Sequence, residues 1–140
     1  MSDSRADAPD PIRVLAETCA EAAVDKKATD VVMLDVRGLT SIADWFVVAS
    51  GRSDTQVRAI AEAVEEASRR RGRRPLWVEG LRHGQWVLLD YGDVVVHVFY
   101  GPVREFYDLE RLWAKAPRVA VEPAPPGTVA KDPAGREAAR

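Results

Sequence analysis

Between Asp90 and Trp113 the chain reads DYGDVVVHVFY, then a Gly-Pro break, then VREFYDLERLW. Side chains alternate across a strand, so Val94, Val96, Val98 and Tyr100 share one face while Val95, His97 and Phe99 share the other. Neither face suits water. The strand must be covered on both sides, which makes it an interior strand of a layered α/β domain. Gly101-Pro102 ends it because proline has no N–H for the ladder, and Pro102 suits the first turn of a following helix. On that helix Phe106, Leu109 and Trp113 fall three and four residues apart with Leu112 alongside, a stripe that can cover the sheet. Arg104, Asp108, Glu110 and Arg111 are left for solvent or a partner. The segment forces no catalytic group and reads as the part that presents a surface.

At 140 residues the chain suits one domain with tails, since domains commonly run to roughly 100–150 residues. A net charge of −2 marks neither a generally basic nucleic-acid binder nor a strongly acidic tail protein. The single cysteine, Cys19, leaves no internal disulfide and fits a reducing, cytoplasmic setting. There is no apolar run near the roughly 18 residues that a membrane helix needs, and the first ten residues, with three aspartates, do not read as a signal peptide. All ten aromatic residues lie between Trp45 and Trp113, which locates the core. Residues 117–140 hold five of the nine prolines and no aromatic residue. The expected organisation is therefore a flexible N-terminus over 1–10, one domain over 11–116, and a disordered, Pro-rich tail over 117–140.

Within the domain, Pro11 to Lys27 predicts a helix with Ile12, Leu15, Cys19, Ala22 and Ala23 on one stripe. Asp30 to Val36 and Trp45 to Ala49 predict strands. A second helix starts at Ser53, where serine followed three residues later by Gln56 is a capping-box pattern, and Val57, Ile60, Ala61, Val64 and Ala67 form its buried stripe. Leu76 to Glu79, Trp86 to Asp90 and Val94 to Tyr100 predict three further strands, with the Tyr-Gly-Asp turn of a hairpin between the last two. The expected fold is α/β, a mixed five-stranded sheet flanked by helices.

Four features invite a chemical reading. Gly51-Arg52-Ser53-Asp54 joins an interior strand to a helix N-terminus, where amides and the helix dipole favour an anion, yet a capped helix start is the plainer reading. A nucleotidyl transferase would also need closely spaced carboxylates for magnesium, and Glu62, Glu65 and Glu66 read instead as ordinary residues of a solvated helix face. Asp90 and Asp93 flank a turn with Glu79 near by. Aspartate in a tight turn more often bonds its own backbone than divides acid and base roles, so turn structure or partner contact is favoured over catalysis. His97 and His83 have no second ligand at metal spacing, and no nucleophile–base pair stands out, so His97 reads as a hydrogen-bonded, mostly buried residue or part of a contact face. The run Arg69, Arg70, Arg71, Gly72, Arg73, Arg74 complements a helix C-terminus, with phosphate contact as the alternative. From the residues alone, Trp86, the turn aspartates, His97, Tyr107, Glu110 and Trp113 form a candidate contact surface. Tryptophan and tyrosine are favoured at interface hot spots, but the same residues also suit a core.

Resemblance narrows this. Leu34-Asp35-Val36 followed by Ser41-Ile42-Ala43-Asp44, Val47-Val48-Ala49-Ser50-Gly51 with Ser53, Val78-Glu79-Gly80 and Trp86-Val87-Leu88-Leu89-Asp90 occur in that order. Gly92-Asp93-Val94-Val95-Val96-His97-Val98-Phe99 follows, then Arg104, Tyr107, Leu109-Glu110 and Leu112-Trp113. Over about Ile12 to Ala116 the chain resembles the ribosomal silencing factor, or Iojap-like, family. The resemblance implies a fold related to nucleotidyl transferases but without their catalytic carboxylates, so no enzyme, no cofactor and no metal. It implies binding to the 50S subunit through large-subunit ribosomal protein fourteen. The bound factor would obstruct the bridge to the small subunit, block joining and repress translation when nutrients are scarce. By the same resemblance the partner-contact role falls on Trp86, Asp90, Asp93, His97, Tyr107, Glu110 and Trp113. A peripheral ribosomal RNA contact through Arg69 to Arg74 and a homodimer of the free protein through the apolar patch stay open. The Pro-rich tail and the arginine run both depart from the family pattern.

Overall fold

The computed structural model describes residues 10–123. Its elements are, in chain order, α1 (Pro11–Asp25), β1 (Thr29–Asp35), β2 (Trp45–Gly51), α2 (Asp54–Arg70), β3 (Trp77–Glu79), β4 (Trp86–Asp90), β5 (Val94–Tyr100), α3 (Gly101–Tyr107), α4 (Leu109–Leu112) and β6 (Arg118–Val121). The two strands without a polar face set the frame. β2 is buried at every residue and β5 from Val94 to Phe99, and they lie side by side in parallel, Trp45 opposite Val94 and Gly51 opposite Tyr100. Around them the sheet runs β3-β4-β5-β2-β1-β6, with antiparallel pairing at every other junction. The long crossover that a parallel pair demands is supplied by α2 and the β3–β4 ribbon.

The sheet has two unequal coverings. One face, with Val31, Met33, Trp45, Val47, Val87, Leu89, Val96 and Val98, is closed by the stripes of α1 and α2 (Leu15, Ala16, Cys19, Val57, Ile60, Val64). Both helices are capped as their sequences require. Asp10 Oδ1 accepts the Ile12 N–H ahead of Pro11, and Ser53 Oγ accepts the Gln56 N–H. Gln56 Oε1 returns to the Arg52 N–H, one residue before the position the capping box predicts. The opposite face, with Val32, Leu34, Phe46, Val48, Val95 and Phe99, has only the two short helices α3 and α4 and the segment through Ala116 to cover it. That imbalance leaves aromatic side chains near water.

Four expectations are corrected. The sheet has six strands, not five: Arg118–Val121 pairs antiparallel with β1, Val31 opposite Val121 and Leu34 opposite Arg118. The absence of aromatics and the nearby prolines suggested a tail there, but an edge strand needs only backbone groups to pair. β1 also carries a fully buried side that an open edge would leave unprotected. The rest of the expected tail and N-terminus, residues 124–140 and 1–9, lie outside the described residues. The single helix read after Pro102 is two, broken at Asp108 in the left-handed region at φ 51°. Its stripe does not run as its period predicts: Val103, Leu109 and Trp113 pack inward, while Phe106 is 80% and Leu112 76% exposed. Arg104, left for solvent or a partner by the sequence, is buried.

Candidate docking surface

At the α3 end of the thinly covered face, aromatic rings meet in tilted and edge-to-face pairs. Strand pairing sets Trp86 opposite Phe99 and Leu88 opposite His97. The Trp86 ring lies 4.8 Å from Phe99 and 5.0 Å from Tyr107, which reaches back from the last turn of α3. Phe46 links His97 (5.4 Å) to Trp113 (5.2 Å), both edge-on. Aromatic pairs at these separations add about 0.5–1.5 kcal/mol beyond their burial, so the cluster holds its own shape. Above it Gln85, Trp86, Pro102, Val103, Phe106 and Tyr107 line an open hollow of about 420 Å³. Tyr107 is 54% exposed, and Phe106 stands against it with centroids 5.1 Å apart. An exposed apolar patch built on rigid strands and a short helix is what a protein partner needs for anchorage.

His97 lies beneath this surface and is 6% exposed. Trp86 Nε1–H donates to its Nδ1 at 3.1 Å. An imidazole accepting at Nδ1 is neutral and carries its proton on Nε2, which is buried with no hydrogen-bond partner among the described residues. Burial pushes its pKa down to about 4, and the charge of Asp90 opposes this only in part. A buried donor left unpaired costs about 1–3 kcal/mol, against about 1 kcal/mol for the neutral bond it makes on the other side.

The remaining expected contact residues are dispersed. Asp90 shares the face of Trp86 and Leu88 but its Oδ1 accepts the Gly92 N–H at 2.8 Å, the turn-forming role weighed from the sequence. Asp93 lies six residues before Phe99, about 20 Å away along the strand. It accepts from Arg73 Nη2 at 2.9 Å, and its carbonyl receives the Asp44 and Trp45 N–H groups. Glu110 takes both prongs of Arg104, at 2.9 and 3.0 Å, and a third bond from Arg118. Arg104 also donates to Ser50 Oγ and the Asp30 carbonyl. These bonds, the Arg104 bond first, hold the Glu110 carboxyl below its ordinary range. Glu110 thus locks α4 to β1, β2 and β6, whereas Trp86, Tyr107 and Trp113 join the aromatic cluster. Phe106, Val103 and Pro102 were missed by the sequence reading. The signal was Asp108, a residue type that tolerates the left-handed region and here resets the helical phase between Phe106 and Leu109.

The other chemical candidates take bland forms. Ser53 caps α2, and Asp54 accepts from Arg58. A cleft of about 1120 Å³ opens beside Gly51, but its lining sets Arg52, Arg104 and Arg118 against Asp30, Glu105, Asp108, Glu110 and Glu122, a balance that disfavours a polyphosphate. In the arginine run, Arg69 and Arg70 pair with Glu66 and Arg73 with Asp93. Arg71 and Arg74 make no such pair among the described residues. No group of three His, Cys, Asp or Glu placed to hold a metal ion occurs among the described residues, and no helix there is long and apolar enough to cross a membrane.

Fold and surface define a small mixed-sheet α/β protein that displays an aromatic hollow beside its central strands. The model of the family described as ribosomal silencing factor during starvation matches residues 9–140, and the chain belongs to that family. A ribosomal silencing factor from Halalkalibacterium halodurans is 43% identical over 108 residues, spanning 77% of this chain and 92% of the relative. One from Bacillus subtilis is 44% identical over 98 residues, spanning 70% of this chain and 83% of the relative. A crystal structure of a Chromobacterium violaceum protein superposes with a TM-score of 0.73 at 40% identity, covering 75% of this chain and 88% of that one.

Proposed function

We propose that this chain represses translation when nutrients are limiting by binding the large ribosomal subunit through ribosomal protein fourteen and sterically blocking its joining with the small subunit. The observation that carries the reading is the hollow between β4 and α3, where Trp86 and Tyr107 lie 5.0 Å apart under an exposed Phe106. Family membership and the family's description, which ties it to starvation, support the direction of the effect. The action proposed is that of a non-catalytic binding protein: the aromatic patch docks, and the bulk of the domain fills space that the small subunit requires. A standard interface takes about 800 Å² from each partner, within reach of a domain of this size. Arg71 and Arg74 supply a peripheral ribosomal RNA contact.

The test is sedimentation of the purified protein with isolated 50S subunits, followed by addition of small subunits. The wild type is expected to co-migrate with the large subunit and to reduce the joined fraction. Trp86→Ala and Tyr107→Ala should each weaken binding about 30-fold, the size of a 2 kcal/mol hot spot, with circular dichroism unchanged. Binding with undiminished joining would refute the steric block. Equal binding by both variants would move the docking site elsewhere. Because the hollow also suits a second copy of the chain, gel filtration at two concentrations checks whether a dimer competes with the ribosome.

A further inference from the structure

His97 raises a question that its packing does not answer. It sits at the centre of the sheet among Phe46, Phe99 and Trp86, with ring centroids 5.4, 6.1 and 6.0 Å away. A phenylalanine there would leave no unpaired Nε2–H, at the cost of the Trp86 N–H acceptor. The imidazole leaves its buried Nε2 unpartnered among the described residues, and the Trp86 indole is its one side-chain hydrogen-bond partner there. Such a site is poor for stability, so the compensation should lie elsewhere. Trp86 is half-buried and held otherwise by ring contacts with Phe99 and Tyr107, tilted at 32° and 47°. Ring contacts fix how close the indole lies but resist its rotation weakly; a hydrogen bond to its only polar atom selects one orientation.

We propose that His97 is a positioning residue for docking: from below the surface it fixes the plane of the Trp86 indole and so presents that ring, already ordered, to the protein partner. The proposal rests on the docking reading above. Its physical basis is preorganisation. A side chain already held in its bound rotamer loses less freedom when the partner arrives, and the gain appears as affinity without any new contact. The neutral state of His97 that accepts the indole N–H is the one its burial maintains near neutral pH.

Two variants separate this role from a structural one. His97→Phe keeps a planar aromatic ring and removes the acceptor; His97→Asn places a carbonyl oxygen near the Nδ1 position. The Trp86 indole N–H is followed by proton–nitrogen NMR in the full-length free protein, assigned by its loss in Trp86→Phe. Affinity for isolated 50S subunits is measured on the same samples. His97→Phe, folded by circular dichroism, is expected to lose exchange protection and shift position at the Trp86 indole, and to bind the subunit about tenfold more weakly. His97→Asn should recover both the indole signal and most of the affinity. An unchanged indole signal in His97→Phe, or wild-type affinity despite a released indole, would overturn the proposal. If Trp86→Ala itself binds like the wild type, the docking reading fails instead. The indole signal, read without the ribosome, still reports whether His97 orders the ring.

Discussion

At the residue scale, His97 shows how a strand position acquires a role from its neighbours. The same side chain on an exposed strand would be a surface base. Here burial and a Trp86 N–H make it a neutral acceptor whose pKa falls to about 4. The consequence for stability has a definite sign. Between about pH 6.5 and pH 4 the unfolded chain takes up a proton that the folded chain refuses, so the native state loses stability as pH falls through that window. The drop attributable to this one group approaches roughly 3 kcal/mol, about 1.4 kcal/mol for each pH unit of the shift. The urea midpoint of the wild type should therefore fall more steeply than that of His97→Asn as pH is lowered from 7 to 4. Parallel curves would show that His97 titrates normally.

The element that decides the surface is the pair of short helices after β5. Gly101-Pro102 ends the strand and starts α3 as the sequence demands, but Asp108 breaks the helical phase. Tyr107 and Phe106 thereby stay outside while Leu109 and Trp113 turn in. So short a pair has little helical stability of its own and must be held by tertiary bonds. Arg104 and Glu110 supply them, with side chains only 10% and 17% exposed. Removing one partner of such a pair strands the other charge, so Glu110→Ala should cost roughly 3 kcal/mol in urea unfolding and release α3 and α4. The Glu110 carboxyl is held below its ordinary range, so its contribution is present above about pH 4.5 and fades as pH falls through the lowered value. Hydrogen exchange concentrated over residues 101–113 of the variant would locate the loss. Uniform exchange across the sheet would mean that Glu110 supports the whole fold.

Over the whole molecule, the two coverings of the sheet divide the work. α1 and α2 close one face around Ile60, Val64 and Cys19. Burial raises the Cys19 thiol to about 12, which makes it a packing residue. The other face stays thin enough for aromatic rings to reach water. β6 finishes the β1 edge, though composition places it in a tail. A chain ending at Ala116 should consequently unfold at lower urea than one ending at Pro123 and should self-associate through the bare β1 edge. Matching midpoints and sedimentation for the two truncations would show β6 to be dispensable.

The chain's periodicities were sufficient for the interior. Apolar residues at every position of Trp45–Ala49 and through most of Val94–Tyr100 require two covered faces, and the helix starts read at Pro11 and Ser53 hold to within a residue. Such signals are local, because burial and capping act on residues near one another in the chain. The family motifs likewise named Trp86, Tyr107 and Trp113 before their rings were seen to meet. Nothing local could reveal that Arg104 turns inward to Glu110 and Asp30, or that Arg118–Val121 pairs with β1. The Arg104 bond to Asp30 and the pairing of β6 with β1 both depend on partners far away in sequence. Nor could alternation distinguish His97 beneath the surface from Trp86 at it. That difference arises only when α3 and α4 cover the face unequally, because depth is a property of the packed layers and not of the strand.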